Sequence, residues 1–236
     1  MTNSAASISG SGAPAATRSR SHDFAELAVA YGLILVVVWT PRPWQKILWW
    51  VAASSIAAIT CASFEGLKAA GLRSTNFFRS LWVVGAALLV SAVAVTLAVD
   101  LHTLRLPPGG PIGFIKNYCA YALWAFVQQF LLLVFFLSRL RRLFKKAGYA
   151  VAVAATIFAA AHLPSPILTP ITLIWGLAAC LLFLRYRNLY PLAMAHALLG
   201  ITIGIAIPGP VDHNMRVGLG YLTYAHTHRP APSPQP

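Results

Sequence analysis

Seven runs of predominantly apolar residues, joined by short basic connections, leave few folds open to this chain. They cover approximately 24–40, 44–64, 81–99, 114–137, 149–163, 169–186 and 189–207. A helix needs ~20 such residues to cross the ~30 Å hydrocarbon core of a bilayer. Only helices and closed barrels satisfy their backbone groups at that depth. The runs at 24–40 and 149–163 are short for the task. Between the third and fourth runs, LPPGGP reads as a loop, because Pro and Gly break helices. The expected fold class is all-α: a polytopic membrane protein of about seven transmembrane helices with a polar intramembrane cavity.

Charge supports that reading. Only 10% of the residues are charged, against ~25% in a soluble domain. A net charge of +13 would suggest nucleic acid in a soluble protein. Here the basic residues stand between the apolar runs, as the positive-inside rule requires, so no nucleic-acid partner is expected. The cluster SRLRRLFKK, with Arg139, Arg141, Arg142, Lys145 and Lys146, decides the orientation. It predicts a multi-pass protein of the cell membrane with a cytoplasmic N-terminus and membrane lipids as immediate partners. Trp39, Trp44, Trp49 and Trp50 suit interfacial anchors.

Residues 1–22, rich in Ser, Ala and Gly, read as a disordered tail, 23–208 as the transmembrane domain, and 209–236 as a C-terminal tail. No cleavable signal peptide is expected, since some twenty polar and small residues precede the first apolar run. Cys61, Cys119 and Cys180 show no pairing pattern and read as small buried hydrophobes.

Against this background four polar side chains stand out: Gln128 and Gln129 in the fourth run, His162 at the end of the fifth and His196 inside the seventh. A charged group at membrane depth costs about 2.5–3.5 kcal/mol, so each is a functional-site candidate. Together they predict one buried site in the second half of the chain, with the first three runs as scaffold. Simpler readings stand beside this one. His162 can face interfacial water ahead of Pro164, and the glutamines can join helices by hydrogen bonds worth about 0.6 kcal/mol each. Gly176, and Gly200 with Gly204, predict close helix contacts. No cofactor is expected. No metal is expected either, because two histidines without a carboxylate make a thin site and His213, His226 and His228 lack matched ligands.

The order WAFVQQFLLLVFFLSRLRR, TIFAAAHLP, LIWGLAACLLFLRYRNLYPLAMAHALLG resembles the CPBP family of intramembrane proteases. That family includes the CAAX prenyl endopeptidases and bacteriocin-immunity membrane proteins. Its pattern is EExxxR, then FxxxH, then HxxxN or HxxxD. Phe158 and His162 match the second motif and His196 the start of the third, so the resemblance covers about 118–207.

The resemblance implies peptide hydrolysis within the membrane, acting on a prenylated or transmembrane peptide. It gives His162 the role of water-activating histidine and His196 that of the oxyanion-side one. The first motif reads Gln128–Gln129, its arginine position is Leu133, and the position four after His196 is Gly200. An amide cannot take a proton from water as a carboxylate can. Loss of a positioned base costs about 10²–10⁴ in rate. The expected function is therefore an endopeptidase-like protein with weak, atypical or absent hydrolysis; the alternatives are a non-catalytic scaffold binding peptide or lipid, and a small-solute transporter, though no internal repeat supports the last.

Overall fold

The computed structural model describes residues 19–224, so most of the expected N-terminal tail and everything after residue 224 lie outside the described residues. All regular structure among the described residues is helical. The main helices are α1 (Arg20–Val38), α2 (Arg42–Ala62), α3 (Phe77–Asp100), α4 (Gly110–Leu143), α5 (Ala147–Ala160), α6 (Leu168–Tyr186) and α7 (Tyr190–Ala206).

Each expected apolar run contains one of these helices, but not every helix can span a bilayer. By length and apolarity α1, α3, α4 and α6 qualify. A fifth span results only if α7 is joined to Gly209–Met215 across a 116° bend. Helix α2 opens on Arg42, Gln45 and Lys46, which lower its apolarity. Helix α5 has 14 residues and so reaches only ~21 Å. It is covered instead by neighbours, packing on α6 and on the C-terminal half of α4.

Three boundaries differ from expectation. Helix α1 begins at Arg20, within the segment read as tail. Residues after 208 are not simply a tail: they form α8 (Gly209–Asp212), a 3₁₀ turn (His213–Met215) and α9 (Gly218–Leu222). Helix α4 continues past the expected end at 137 into the basic cluster, because those cations have acidic partners. Arg139 Nε donates to Glu26 at 2.6 Å, and Arg142 donates to both oxygens of Asp23 at 2.8 and 2.6 Å. Arg139 also donates to Ser63 Oγ and to the Phe135 carbonyl. Both Glu26 and Arg139 are buried, so this pair clamps α1 onto α4.

Helix α4 is the centre of the bundle. Its N-terminal half packs on α7, and its C-terminal half on α1, α5 and α6. Directly after Gln129 it widens into a π-helical segment, Leu131–Phe136, a feature frequent at functional sites. Leu132, Leu133 and Phe135 there, and Leu137 just after it, are fully buried. Small residues let the other helices close in, as membrane packing requires. A Cβ on Gly176 would lie 3.2 Å from the Ala155 Cα, which places α6 hard against α5. Pro191 stands in the first turn of α7, where its missing N–H costs nothing. Of the cysteines only Cys180 is buried; Cys61 and Cys119 are exposed, since their helix faces turn away from the bundle.

Candidate functional site

Gln129 is fully buried on the inward face of α4. Its amide Nε2 lies 3.0 Å from Nδ1 of the buried His196 on α7. An amide nitrogen only donates, so Nδ1 accepts and the neutral imidazole carries its proton on Nε2. His162 has the opposite arrangement. It sits in the turn after α5, and its Nδ1 is 2.8 Å from the Phe158 carbonyl, which can only accept. The His162 proton is therefore on Nδ1, leaving the Nε2 lone pair as a base. One histidine thus offers a donor and the other an acceptor.

Phe158 links the two. Its ring centroid is 5.0 Å from that of His162 and 6.0 Å from that of His196. The four-residue spacing that puts Phe158 under His162 is the FxxxH spacing itself. His162 and Gln128 line a common cavity of about 90 Å³, closed on other sides by Trp124, Leu132 and Ile157. Tyr31 and Ile34 of α1 also line it, so the first half of the chain is more than scaffold. The volume suits two or three waters, at ~30 Å³ each.

Two groups at the site escaped sequence reasoning. The Trp175 ring on α6 lies 6.1 Å from the His196 ring. Its Nε1, like Gln129 Oε1, is buried without a hydrogen-bond partner among the described residues. The second is Tyr121: a Cβ built on Gly200 would fall 1.7 Å from Tyr121 Oη. Where the third motif calls for Asn or Asp, bare backbone meets a phenol supplied by α4. A glycine at that motif position was the only signal in the sequence.

No carboxylate lines the cavity. Glu26 and Asp23 are held by Arg139 and Arg142, and Glu65 pairs with Arg142 at 2.9 Å. Asp100 is exposed at the end of α3, and Asp212 is buried in α8, accepting from the Asn214 N–H. Leu133, at the arginine position of the first motif, is packed in the core. No group of three or more His, Cys, Asp or Glu residues among the described ones is placed to hold a metal ion.

Comparison with known proteins adds one finding. Residues 43–202, more than half of the chain, match the family described as type II CAAX prenyl endopeptidase Rce1-like. No curated protein and no solved structure matches the chain. The matched segment includes Gln128, Gln129, Phe158, His162 and His196 and all of helices α3 to α6. This multi-pass membrane protein, intramembrane endopeptidase-like in its family relationship, belongs to the Rce1-like type II CAAX prenyl endopeptidases.

Proposed function

We propose that this chain binds a prenylated or transmembrane peptide at the Gln128–His162 cavity and hydrolyses it slowly. The observation that carries the reading is a pair of unused groups beside His196: an acceptor, Gln129 Oε1, and a donor, Trp175 Nε1. Neither they nor His196 line the cavity, and Phe158 stands between it and His196, so a bound peptide has to reach past that ring. A peptide group offers one donor and one acceptor, the complement of that pair, and buried polar groups are satisfied in nearly all native sites.

The chemistry follows from the two imidazoles. His162 Nε2 takes a proton from water, and His196 Nε2–H donates to the oxygen that gains charge on the carbonyl. With amides in place of carboxylates, nothing reinforces the His162 base, and the turnover is correspondingly low. The 90 Å³ cavity is too small for a peptide, so binding moves the α1 wall formed by Tyr31 and Ile34. The site residues are Gln128, Gln129, His162 and His196, with Trp175 added as a substrate contact.

The test is purified protein incubated with a prenylated peptide, with cleavage read by mass spectrometry and binding by photocrosslinking. Slow cleavage abolished in His162→Ala and in His196→Ala is the expected result. Cleavage that survives both substitutions removes the protease reading. A non-catalytic peptide- or lipid-binding role is the second reading, favoured by the lack of a carboxylate in the cavity lining. Binding without any histidine-dependent cleavage selects it.

The basic end of the bundle supports a cytoplasmic N-terminus. There Arg20 donates to the Leu143 carbonyl and Arg73 to the Arg187 carbonyl, which brings the start of α1 to the end of α4 and the α2–α3 connection to the α6–α7 one. A tag in the α4–α5 connection that is reached from outside the cell would overturn that orientation.

A further inference from the structure

At the opposite end of the bundle, a cavity of about 630 Å³ lies between the α1–α2 turn and the segment after α7. We propose that it binds a phosphate-bearing anion, the headgroup of an anionic lipid. The proposal goes beyond the peptide-cleaving reading and does not depend on it.

One wall carries Thr40, Arg42 and Gln45, and the other Met215, Arg216 and Leu219. Among the described residues that line the cavity none is acidic. Among the described residues neither guanidinium has an ion-pair partner. Arg216 rests its Cζ 5.2 Å from the Tyr224 ring, which orients the guanidinium without neutralising it. The nearest carboxylate in sequence, Asp212, is buried and engaged with the Asn214 N–H. Two uncompensated guanidiniums facing one space match phosphate, whose oxygens accept the paired N–H groups of each fork.

The wall is fixed. Gly218, at φ +55°, presses on the end of α1 so closely that a Cβ there would lie 2.3 Å from the Val38 carbonyl oxygen. Its N–H donates to the Leu163 carbonyl at 2.7 Å. Depth identifies the source of the phosphate. Trp39 and Trp44, 44% and 65% exposed, flank the α1–α2 turn. Indoles prefer the headgroup level of a bilayer, so the cavity opens where lipid phosphates are. Its volume lies within the ~300–1,000 Å³ of ordinary ligand sites.

The test uses full-length protein in nanodiscs of phosphatidylcholine with a fifth phosphatidylglycerol, released for native mass spectrometry. Wild type should retain phosphatidylglycerol in preference to phosphatidylcholine. Arg42→Gln with Arg216→Gln should lower that preference by roughly thirtyfold, since each arginine near an anionic surface contributes about fivefold. Arg42→Lys with Arg216→Lys keeps the charge but loses the paired N–H forks, so it should retain only part of the preference and stand between wild type and the glutamine pair. Lys116→Gln, outside the cavity, should change nothing. Displacement of the lipid by millimolar inorganic phosphate would assign the site to free phosphate, and resistance to it to the headgroup; either keeps the phosphate chemistry. Equal retention by wild type and a folded Arg42→Gln, Arg216→Gln protein overturns the proposal.

Discussion

Gln129 holds His196 by a single hydrogen bond, amide Nε2 to imidazole Nδ1 at 3.0 Å, between the central helix and the last long one. The bond turns His196 into a donor at Nε2, whatever else the site does. A carboxylate at 129 would accept from Nδ1 instead and leave Nε2 as a lone pair. The glutamine is therefore a choice of tautomer as well as the loss of a charge.

That distinction separates the two glutamines. Gln128 lines the cavity with His162, where the proposed hydrolysis calls for a base, whereas Gln129 sets the proton on His196. Gln128→Glu should raise cleavage of a prenylated peptide, by up to about 10²–10⁴, the usual contribution of a positioned base. The gain should grow with pH as the new carboxylate ionises. Gln129→Glu alone should give no gain and should lower stability, because it buries a carboxylate beside an imidazole. Progress curves for both variants against pH check this; equal gains from both would contradict the assignment.

The contact between Gly200 and Tyr121 can be tested by stability. Gly200→Asn forces a side chain into the phenol, an overpacking that typically costs 1–3 kcal/mol. Tyr121→Ala opens the space, so the double substitution should recover part of the loss. Thermal midpoints of the four proteins in detergent form the cycle. Simple additivity would mean that Tyr121 does not occupy that place.

The clamp of α1 onto α4 makes a separate demand. Glu26→Gln leaves Arg139 buried without its carboxylate, a change that costs about 3–5 kcal/mol when one partner of a buried pair is removed. Glu26→Leu with Arg139→Met replaces both by apolar groups of similar size and should be close to neutral. A fall in Tm for the single change and recovery for the double would verify the pair.

The parts of this fold that were legible in the sequence are those set by local chemistry. Apolar runs made helices, Pro191 took the first turn of α7, and Gly176 marked a close helix contact. The two histidines were visible because a polar group is costly among apolar neighbours. What was hidden depends on distant partners. Arg139 read as a topology signal because Glu26, its partner, lies 113 residues away. Trp175 gave no signal of its own, since nothing local says that its ring lies beside that of His196. The count of seven spans is not confirmed: four helices qualify by length and apolarity, or five with the bent α7. Helix α5 can stop at 14 residues because α4 and α6 cover it.

The role of α1 is the least visible from sequence and the easiest to test. Tyr31 and Ile34 close the cavity opposite Ile157 and His162, yet the space they leave is only about 90 Å³. If peptide reaches His162 from the bilayer, α1 must swing away from α5 at that level while the Asp23 and Glu26 contacts hold its N-terminal end. Cysteines at Ile34 and Ile157, joined by a short reducible cross-linker, should abolish photocrosslinking of a prenylated peptide to the cavity. Reduction should restore it. A cross-link of α1 to α4 through its N-terminal end, where the ion pairs already hold, should have little effect. Undiminished labelling with the Ile34–Ile157 link in place would mean that the peptide arrives by another face and that α1 is a fixed wall.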